Sequence, residues 1–128
     1  MTVDNLNQSR FLSLFGMLLV YASINNIKVK CSGSKSFIRD AEMQAALYKI
    51  GRRGIAGEKT VTDCDGYVRK SLHQSACAMD ITIVNQDGET VWDEAPYRML
   101  ADFWKSSGGI WGGDFTSPRE IWHYGMAV

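Results

Sequence analysis

The sequence has 128 residues, and its 14 basic and 14 acidic side chains give a formal net charge of zero. This length suits one domain with a sizeable core, and the balanced charge without a basic stripe excludes a typical nucleic-acid-binding surface. The three cysteines are odd in number and have no Cys-x-x-Cys spacing, which argues against a disulfide framework and fits a reducing compartment. We therefore predict one domain over residues 1–128, with no nucleic-acid partner.

The N-terminal segment predicts a helix. Apolar residues recur at three- and four-residue spacing over residues 6–24, and Ser9 is a candidate N-cap. Three further apolar residues predict that this helix is largely buried: Leu12, Leu19 and Val20. The same run has the length of a signal-peptide core, but it is too short to span a membrane. We favour the core helix; residues 1–22 acting as a signal would instead direct the protein to the periplasm.

The middle of the chain predicts a strand, a second helix and a long loop. Residues 27–31 alternate apolar and polar side chains, which is typical of a half-buried strand. Residues 38–51 carry a helical apolar stripe that ends at a glycine. Residues 52–70 have no clean periodicity and contain several glycines, so we predict a surface loop that forms one wall of a binding cleft.

The second half predicts a hairpin, a third helix and two short strands. A strand over residues 77–84 is followed by a hairpin turn at Asp87-Gly88 and a returning strand. The third helix starts near Pro96 and runs to about residue 106. Short strands are predicted at residues 110–111 and 122–126. Together these elements predict an α+β domain with a mainly antiparallel sheet.

Metal-ligating residues cluster around the strand at residues 77–84. A catalytic zinc ion is usually held by three protein side chains. The sequence has only two histidines, His73 and His123, so a third ligand must be a carboxylate or a thiol, and the nearby choices are Asp80 and Cys77. Side chains alternate along a strand, which places Cys77 on a uniformly apolar face and Asp80 on the other. We select Asp80 as the ligand; a solvated carboxylate at a strand edge is the alternative.

The second histidine has its own acidic neighbour. Glu120 precedes His123 by three residues, at the start of the last predicted strand. A carboxylate beside a metal-activated water is the usual general base of a hydrolase. A histidine on a short strand is more often a hydrogen-bonded structural residue, so the residues alone leave both interpretations open.

Taken in order, these residues resemble the zinc D-Ala-D-Ala peptidase family, which includes D,D-carboxypeptidases, vancomycin-resistance dipeptidases and phage L-alanyl-D-glutamate endolysins. Its motif, Ser-x-His-x-x-Gly-x-Ala-x-Asp with a later Glu or Asp-x-x-His, is similar to two segments here: Ser71-x-His73-x-x-Ala76-x-Ala78-x-Asp80 and Glu120-x-x-His123. Two more family segments are similar: Arg39-x-x-x-x-Gln44-x-x-Leu47-Tyr48-x-x-Gly51-Arg52 and Trp111-Gly112-Gly113-Asp114-Phe115. The combination is specific, although each segment alone would be weak.

The resemblance implies a fold and a set of roles. The fold is a small, mainly antiparallel sheet flanked by helices, as in hedgehog and DD-peptidase domains. His73, Asp80 and His123 are implied to bind one Zn²⁺ per chain, and Glu120 to act as the general base. Arg39 is implied to stabilise the oxyanion that develops on the scissile carbonyl.

Weaker assignments follow from the same comparison. Ser71 and Gln44 are candidates for substrate binding, and Asp114 is a candidate partner of a histidine ligand. Ser71 has an ordinary alternative as a loop residue, and Asp114 as a turn residue. Ala76 stands where the family has glycine; if this position needs a positive φ, alanine costs on the order of 1 kcal/mol.

The resemblance implies a monomeric zinc peptidase that hydrolyses peptidoglycan stem peptides. The small size suits a phage endolysin that cuts the L-Ala–D-Glu bond and stays in the host cytoplasm until it is released to the cell wall. A D-Ala-D-Ala carboxypeptidase or dipeptidase is the alternative within the class. A non-catalytic zinc or cell-wall binding module is the alternative outside it, but Glu120 argues against this alternative.

Overall fold

The computed structural model describes residues 3–33, 35–116 and 118–127, and the elements follow the predicted order. The helices are α1 (Val3–Ile24), α2 (Ala41–Lys49) and α3 (Glu94–Ser106). The strands are β1 (Lys28–Cys31), β2 (Ala78–Val84), β3 (Thr90–Val91), β4 (Ile110–Trp111) and β5 (His123–Gly125). Short 3₁₀ turns cover Leu72–Ser75 and Gly112–Asp114. The predicted α+β class is confirmed.

All strand pairs of the sheet are antiparallel, in the order β1-β2-β5-β4, and β3 pairs with the end of β2. The middle strand β2 uses its second half to pair with β1 and its first half to pair with β5. In this register Asp80 lies directly opposite His123. The pairing of β5 with the middle strand β2 therefore brings two of the predicted metal ligands together.

The faces of β2 follow the predicted alternation only in part. Cys77, Ile81 and Ile83 belong to the hydrophobic core, as expected. The opposite face is buried as well, since Asp80 is 8% exposed and Thr82 is 4% exposed. The neighbouring chain supplies polar partners there, including a 2.8 Å hydrogen bond between the hydroxyls of Ser32 and Thr82. Asp80 is therefore a buried carboxylate, and its interpretation as a solvated strand-edge residue is wrong.

Helix α1 differs from its prediction at its start and on its outer face. It begins at Val3, so Ser9 lies inside the helix and is not its N-cap. Its buried residues lie along one stripe: Phe11, Phe15, Leu18 and Ala22. The other predicted core residues are exposed: Leu12, Leu19 and Val20. Burial was overestimated because only this stripe packs against the core, where Phe11 and Phe15 meet Trp104 of α3.

Helix α2 is shorter than predicted, and the loop after it is irregular, as predicted. The Asp40 carboxylate accepts a 2.7 Å hydrogen bond from the Met43 N–H and thereby fixes the helix start. The described residues between α2 and the first 3₁₀ turn contain no helix or strand. None of the helices in the described part of the chain is long and apolar enough to cross a membrane.

Candidate metal and catalytic site

The structure brings together the three predicted metal ligands. The Asp80 Oδ1 atom lies 3.1 Å from His73 Nε2 and 3.2 Å from His123 Nδ1. One ligand atom from each residue lies within 4.8 Å of the other two, and all three side chains are buried. A tetrahedral ion with bonds of about 2.0–2.1 Å separates its ligand atoms by about 3.3 Å, so this spacing suits a small tetrahedral cation such as zinc.

The turn before β2 holds His73 in place. The Ser71 hydroxyl accepts the His73 N–H, and the Gln74 side chain accepts the Ser71 N–H in return, so the two form a capping box. Ala76 ends this turn in the left-handed region with φ 54° and ψ 38°. Its N–H is directed at the carbonyls of Leu72 and His73. In this chain the position therefore has a positive φ, and alanine adopts it.

The tautomer of His73 supports a cation between the ligands. Its Nδ1 atom lies 2.8 Å from the carbonyl oxygen of Phe37. A carbonyl only accepts hydrogen bonds, so Nδ1 carries the proton of the neutral ring. The lone pair of Nε2 therefore faces the Asp80 carboxylate. Two facing lone pairs repel unless a cation lies between them. The residues therefore fit a metal ion, and the Phe37 carbonyl orients its histidine ligand.

Arg39 binds the opposite side of the Asp80 carboxylate. Its Nη2 atom donates to Asp80 Oδ2 at 2.9 Å, and its other bonds go to the Lys35 carbonyl and to the Gln44 side-chain oxygen. Burial alone would raise the pKa of Asp80. The neighbouring His123 and His73 side chains outweigh this effect, so the pKa of Asp80 lies well below its usual range.

Glu120 lies beside the ligand group, as the spacing of the motif predicts. Its Oε2 atom is 3.9 Å from His123 Nδ1, and its N–H donates to the Gly112 carbonyl at 2.9 Å. Burial raises the pKa of Glu120 to about 7, and the electrostatic effect of the neighbouring His123 only partly offsets this rise. A carboxyl group with this pKa can both accept and return a proton near neutral pH.

The ligand group opens into a cleft of about 380 Å³. One wall comes from the loop predicted for this purpose, and the opposite wall comes from the segment before β5. The residues that line the cleft include Thr62, Cys64, Arg69, Lys70, Ser71, Phe115, Pro118 and Glu120. The Phe115 ring lies 5.4 Å from the His123 ring, between centroids, and covers one side of the ligand.

Two of the weaker assignments do not fit the structure. Gln44 is fully buried, and its amide nitrogen donates to the Thr62 hydroxyl and to the Cys64 carbonyl. It therefore supports Arg39 and the cleft wall from behind and cannot contact a substrate. Asp114 forms an ion pair with Lys105 at 2.9 Å and is not bonded to a histidine. The structure does not support the prediction that it orients a ligand, because its carboxylate is half-exposed and is bonded to Lys105.

The other assignments keep their geometry, and some contributors were missed. Ser71 lines the cleft, and Arg39 lies next to the ligand group, so both could reach a substrate there. The orienting carbonyl of Phe37 was missed, since a backbone atom leaves no sequence signal. Arg69 and Lys70 were also missed, although their position directly before Ser71 was a signal that they flank the site.

Comparison with known proteins gives a family match and matches to solved structures. Residues 65–126 match the model of a family described as D-alanyl-D-alanine carboxypeptidase, and this segment contains the three metal-ligand candidates and Glu120. The crystal structure of the Serratia marcescens L-Ala D-Glu endopeptidase ChiX is similar, with a TM-score of 0.63 and 15% sequence identity. That alignment covers 93% of this chain and 79% of ChiX. No curated protein matches the sequence of this chain.

The fold and the buried His-Asp-His group define a small α+β domain with a candidate metal centre, and the family match points towards a peptidase. At 15% identity the likeness to ChiX shows the fold alone, while the family match rests on the residues of the site. Together they confirm the resemblance to the zinc D-Ala-D-Ala carboxypeptidase and L-Ala-D-Glu endopeptidase family that the motifs predicted.

Proposed function

We propose that this protein is a zinc-dependent peptidase that hydrolyses peptidoglycan stem peptides, as an L-alanyl-D-glutamate endopeptidase of the phage endolysin type. The observation that carries the proposal is the buried group of His73, Asp80 and His123 at the base of a cleft, with the Glu120 carboxyl beside it. The similarity in fold to an L-Ala D-Glu endopeptidase over 93% of the chain supports the choice of bond.

The residues of the chain divide the chemistry between them. A zinc ion held by the three ligands would supply Lewis-acid polarisation of the scissile carbonyl and a water of lowered pKa. Glu120 accepts a proton from the attacking water and returns it to the departing amine, which its pKa of about 7 permits. A free carboxyl in a purely structural metal site would have no such task, so Glu120 argues against a non-catalytic binding module.

Arg39 would assist in two ways. Its bond to Asp80 fixes the orientation of the carboxylate ligand. A guanidinium has five N–H donors. In Arg39, three of these donate to described residues, namely Lys35, Gln44 and Asp80. The remaining two are available to a developing oxyanion in the cleft, where a fixed positive charge is more effective than in water. The oxyanion role therefore remains our proposal for this residue.

A D-Ala-D-Ala carboxypeptidase is the second candidate, because the matching family model carries that description. Mass spectrometry of muropeptides after digestion with the zinc-loaded protein separates the two activities. A new N-terminal D-Glu is expected from the endopeptidase, whereas loss of only a terminal D-Ala would identify the carboxypeptidase. An unchanged muropeptide profile would contradict both.

A variant of Glu120 tests the mechanism separately from the fold. Glu120→Gln keeps the size of the side chain but removes its function as a base, so we expect a loss of at least about 100-fold in kcat. Metal analysis of the same sample should still give one zinc per chain. Full activity of Glu120→Gln would remove Glu120 from the mechanism.

The endolysin proposal also carries a location. We propose that the protein stays in the host cytoplasm until it is released to the cell wall. Fractionation of host cells before and after lysis tests this, and a periplasmic pool before lysis would contradict it.

A further inference from the structure

The cleft contains two cations whose charges no acid in the described structure neutralises. The other charged residues of its walls are mostly paired: Arg39 with Asp80, Asp63 with Arg52, and Asp114 with Lys105. Arg69 and Lys70 also line the cleft, and neither forms an ion pair with an acid among the described residues. Glu120 is the remaining acid of the cleft, so two unpaired cations stand against one acid. The open cleft therefore has excess positive charge.

The backbone that carries these cations is held firmly. The Asp65 carboxylate accepts three N–H groups, from Tyr67, Val68 and Arg69, at 2.9–3.0 Å. The N–H of Gly66 closes the turn by donating to the Arg69 carbonyl at 3.2 Å. This hydrogen-bonded turn continues directly into Lys70 and the capping box of Ser71. The two cations therefore have a fixed position relative to the ligand His73.

The turn is also anchored to the rest of the domain. The Gln74 side chain donates to the Gly66 carbonyl at 2.9 Å. A Cβ atom at Gly66 would lie 2.7 Å from the Ala41 carbonyl oxygen, so the turn packs directly against α2. Arg69 and Lys70 therefore extend from a rigid support, which a residue that determines specificity requires.

Arg69 and Lys70 line the same cleft as Glu120. In the proposed reaction Glu120 gives its proton to the departing amine. The residue that contains this amine must therefore lie in the cleft that Arg69 and Lys70 line.

Both candidate substrates have a carboxylate at that place. In the stem peptide, D-Glu is joined to the next residue through its γ-carboxyl, so the α-carboxylate of the residue whose nitrogen departs is free. In a terminal D-Ala-D-Ala unit, the departing D-Ala likewise has a free α-carboxylate. We propose that Arg69 and Lys70 bind this α-carboxylate and make a free carboxylate on the departing residue a requirement of the substrate. The inference rests on the proposed function.

Paired synthetic peptides test the inference. Each scissile sequence, L-Ala–γ-D-Glu and D-Ala–D-Ala, is made with its α-carboxylate free and as the primary amide. For the sequence that the wild-type protein cuts, we expect the acid to be preferred over the amide by roughly 10- to 100-fold in kcat/KM, because hydrogen bonds between ionised groups are strong in a cleft. The sequence that shows the preference identifies which of the two carboxylates is bound.

The double variant Arg69→Ala/Lys70→Ala should lose this preference. We expect KM for the acid to rise by at least 10-fold, with a smaller change in kcat and no change for the amide. The matched control Lys49→Ala/Lys59→Ala removes the same charge from exposed positions outside the cleft and should retain the preference. Equal losses on acid and amide, or no loss on either, would overturn the inference.

A binding measurement separates this inference from the proposed function. Calorimetry with Glu120→Gln and the acid peptide, with and without the Arg69→Ala/Lys70→Ala changes, does not depend on turnover. We expect the two cations to tighten binding of the acid by at least 10-fold. If the wild-type protein cuts neither sequence, the proposed function fails, and an unchanged Kd of the acid overturns the inference independently.

Discussion

At the scale of single residues, Ala76 shows how a departure from the family pattern can be tolerated. Its φ of 54° belongs to a region that residues with a side chain rarely occupy. The strain persists because the turn it ends carries His73 and because its N–H is directed at two carbonyls. The site is therefore built on a residue that is locally unfavourable.

Ala76→Gly should relieve this strain. Glycine occupies the left-handed region without a steric penalty, so we expect the free energy of unfolding in urea to rise by about 1 kcal/mol. Ala78→Gly is the matched control, since it lies in β2 and should lower the free energy of unfolding by about 0.5–1 kcal/mol. A lower stability for Ala76→Gly would show that the turn is not strained.

Glu120 provides a second prediction at this scale, for the metal-free protein. Its pKa is about 7 in the folded state against an ordinary value of 4.5, and its side chain is only 17% exposed. Between pH 4.5 and about pH 7 the folded state binds more protons than the unfolded state, so the free energy of unfolding falls as the pH rises. Glu120→Gln should therefore stabilise the metal-free protein at pH 8 by on the order of 1–3 kcal/mol.

The comparison is made by urea denaturation of both proteins in the presence of a chelator at pH 4.5 and pH 8. The difference should be small at pH 4.5, where Glu120 is largely protonated in the folded state. An equal difference at both pH values would indicate that the carboxyl is not desolvated.

The candidate metal ligands could be selected from the sequence because residue type, motif spacing and strand alternation agree at His73, Asp80 and His123, and the structure places these three side chains together. The partners of these residues could not. Arg39 reaches Asp80 across 41 positions of sequence, and the Phe37 carbonyl reaches His73 across 36. Gln44 was assigned to the substrate for the same reason, because nothing in its local sequence shows that a loop covers it.

At the scale of elements, the segment before β5 is held by close backbone contact at Gly112. This glycine accepts the N–H of Glu120, and a Cβ atom here would lie 2.2 Å from the Glu120 carbonyl oxygen and 2.7 Å from the Cβ of His123. Only a residue without a side chain lets the 3₁₀ turn and the segment that carries the base and the last ligand approach each other this closely.

Gly112→Ala should therefore displace Glu120 and His123 together. We expect a loss of about 1–3 kcal/mol in stability from overpacking and a weaker affinity for zinc, measured by denaturation and by competition with a chelating dye. Gly16→Ala is the control, because its Cβ meets nothing within 4 Å and its helix should gain up to about 1 kcal/mol. Wild-type zinc affinity in Gly112→Ala would contradict the steric argument.

The predicted elements were most accurate where one periodicity dominates, as in α3 and β2. Helix α1 was predicted less well because apolar residues surround it. The sequence shows which residues are apolar, but it does not show which side of a helix meets the sheet. All four of Leu12, Val20, Phe11 and Leu18 are apolar, but only Phe11 and Leu18 lie on the side of the helix that packs against the core.

At the scale of the whole molecule, the candidate metal centre joins three separate parts of the chain. His73 comes from a 3₁₀ turn, Asp80 from the middle strand and His123 from the last described strand. An ion that binds this arrangement binds only the folded protein, so metal binding adds directly to the stability of the fold.

Zinc should therefore raise the melting temperature of the metal-free protein. At a free zinc concentration of 100 times the Kd, the gain is about 2.7 kcal/mol, which corresponds to a shift of roughly 10 °C. Differential scanning fluorimetry measures the shift, which a chelator should reverse and His73→Ala should abolish.

Cys77→Ser should retain the shift, because Cys77 belongs to the hydrophobic core. Loss of the shift without unfolding would indicate that the third ligand is wrongly assigned.

The position of β5 between β2 and β4 also sets an order of events in time. Its first residue, His123, pairs with Asp80 across 43 positions of sequence, so this contact closes one of the larger loops of the chain. Short strands with distant partners form late in folding. The candidate metal centre therefore assembles only when β5 joins the sheet, and a folding intermediate without β5 lacks the His123 side of that centre.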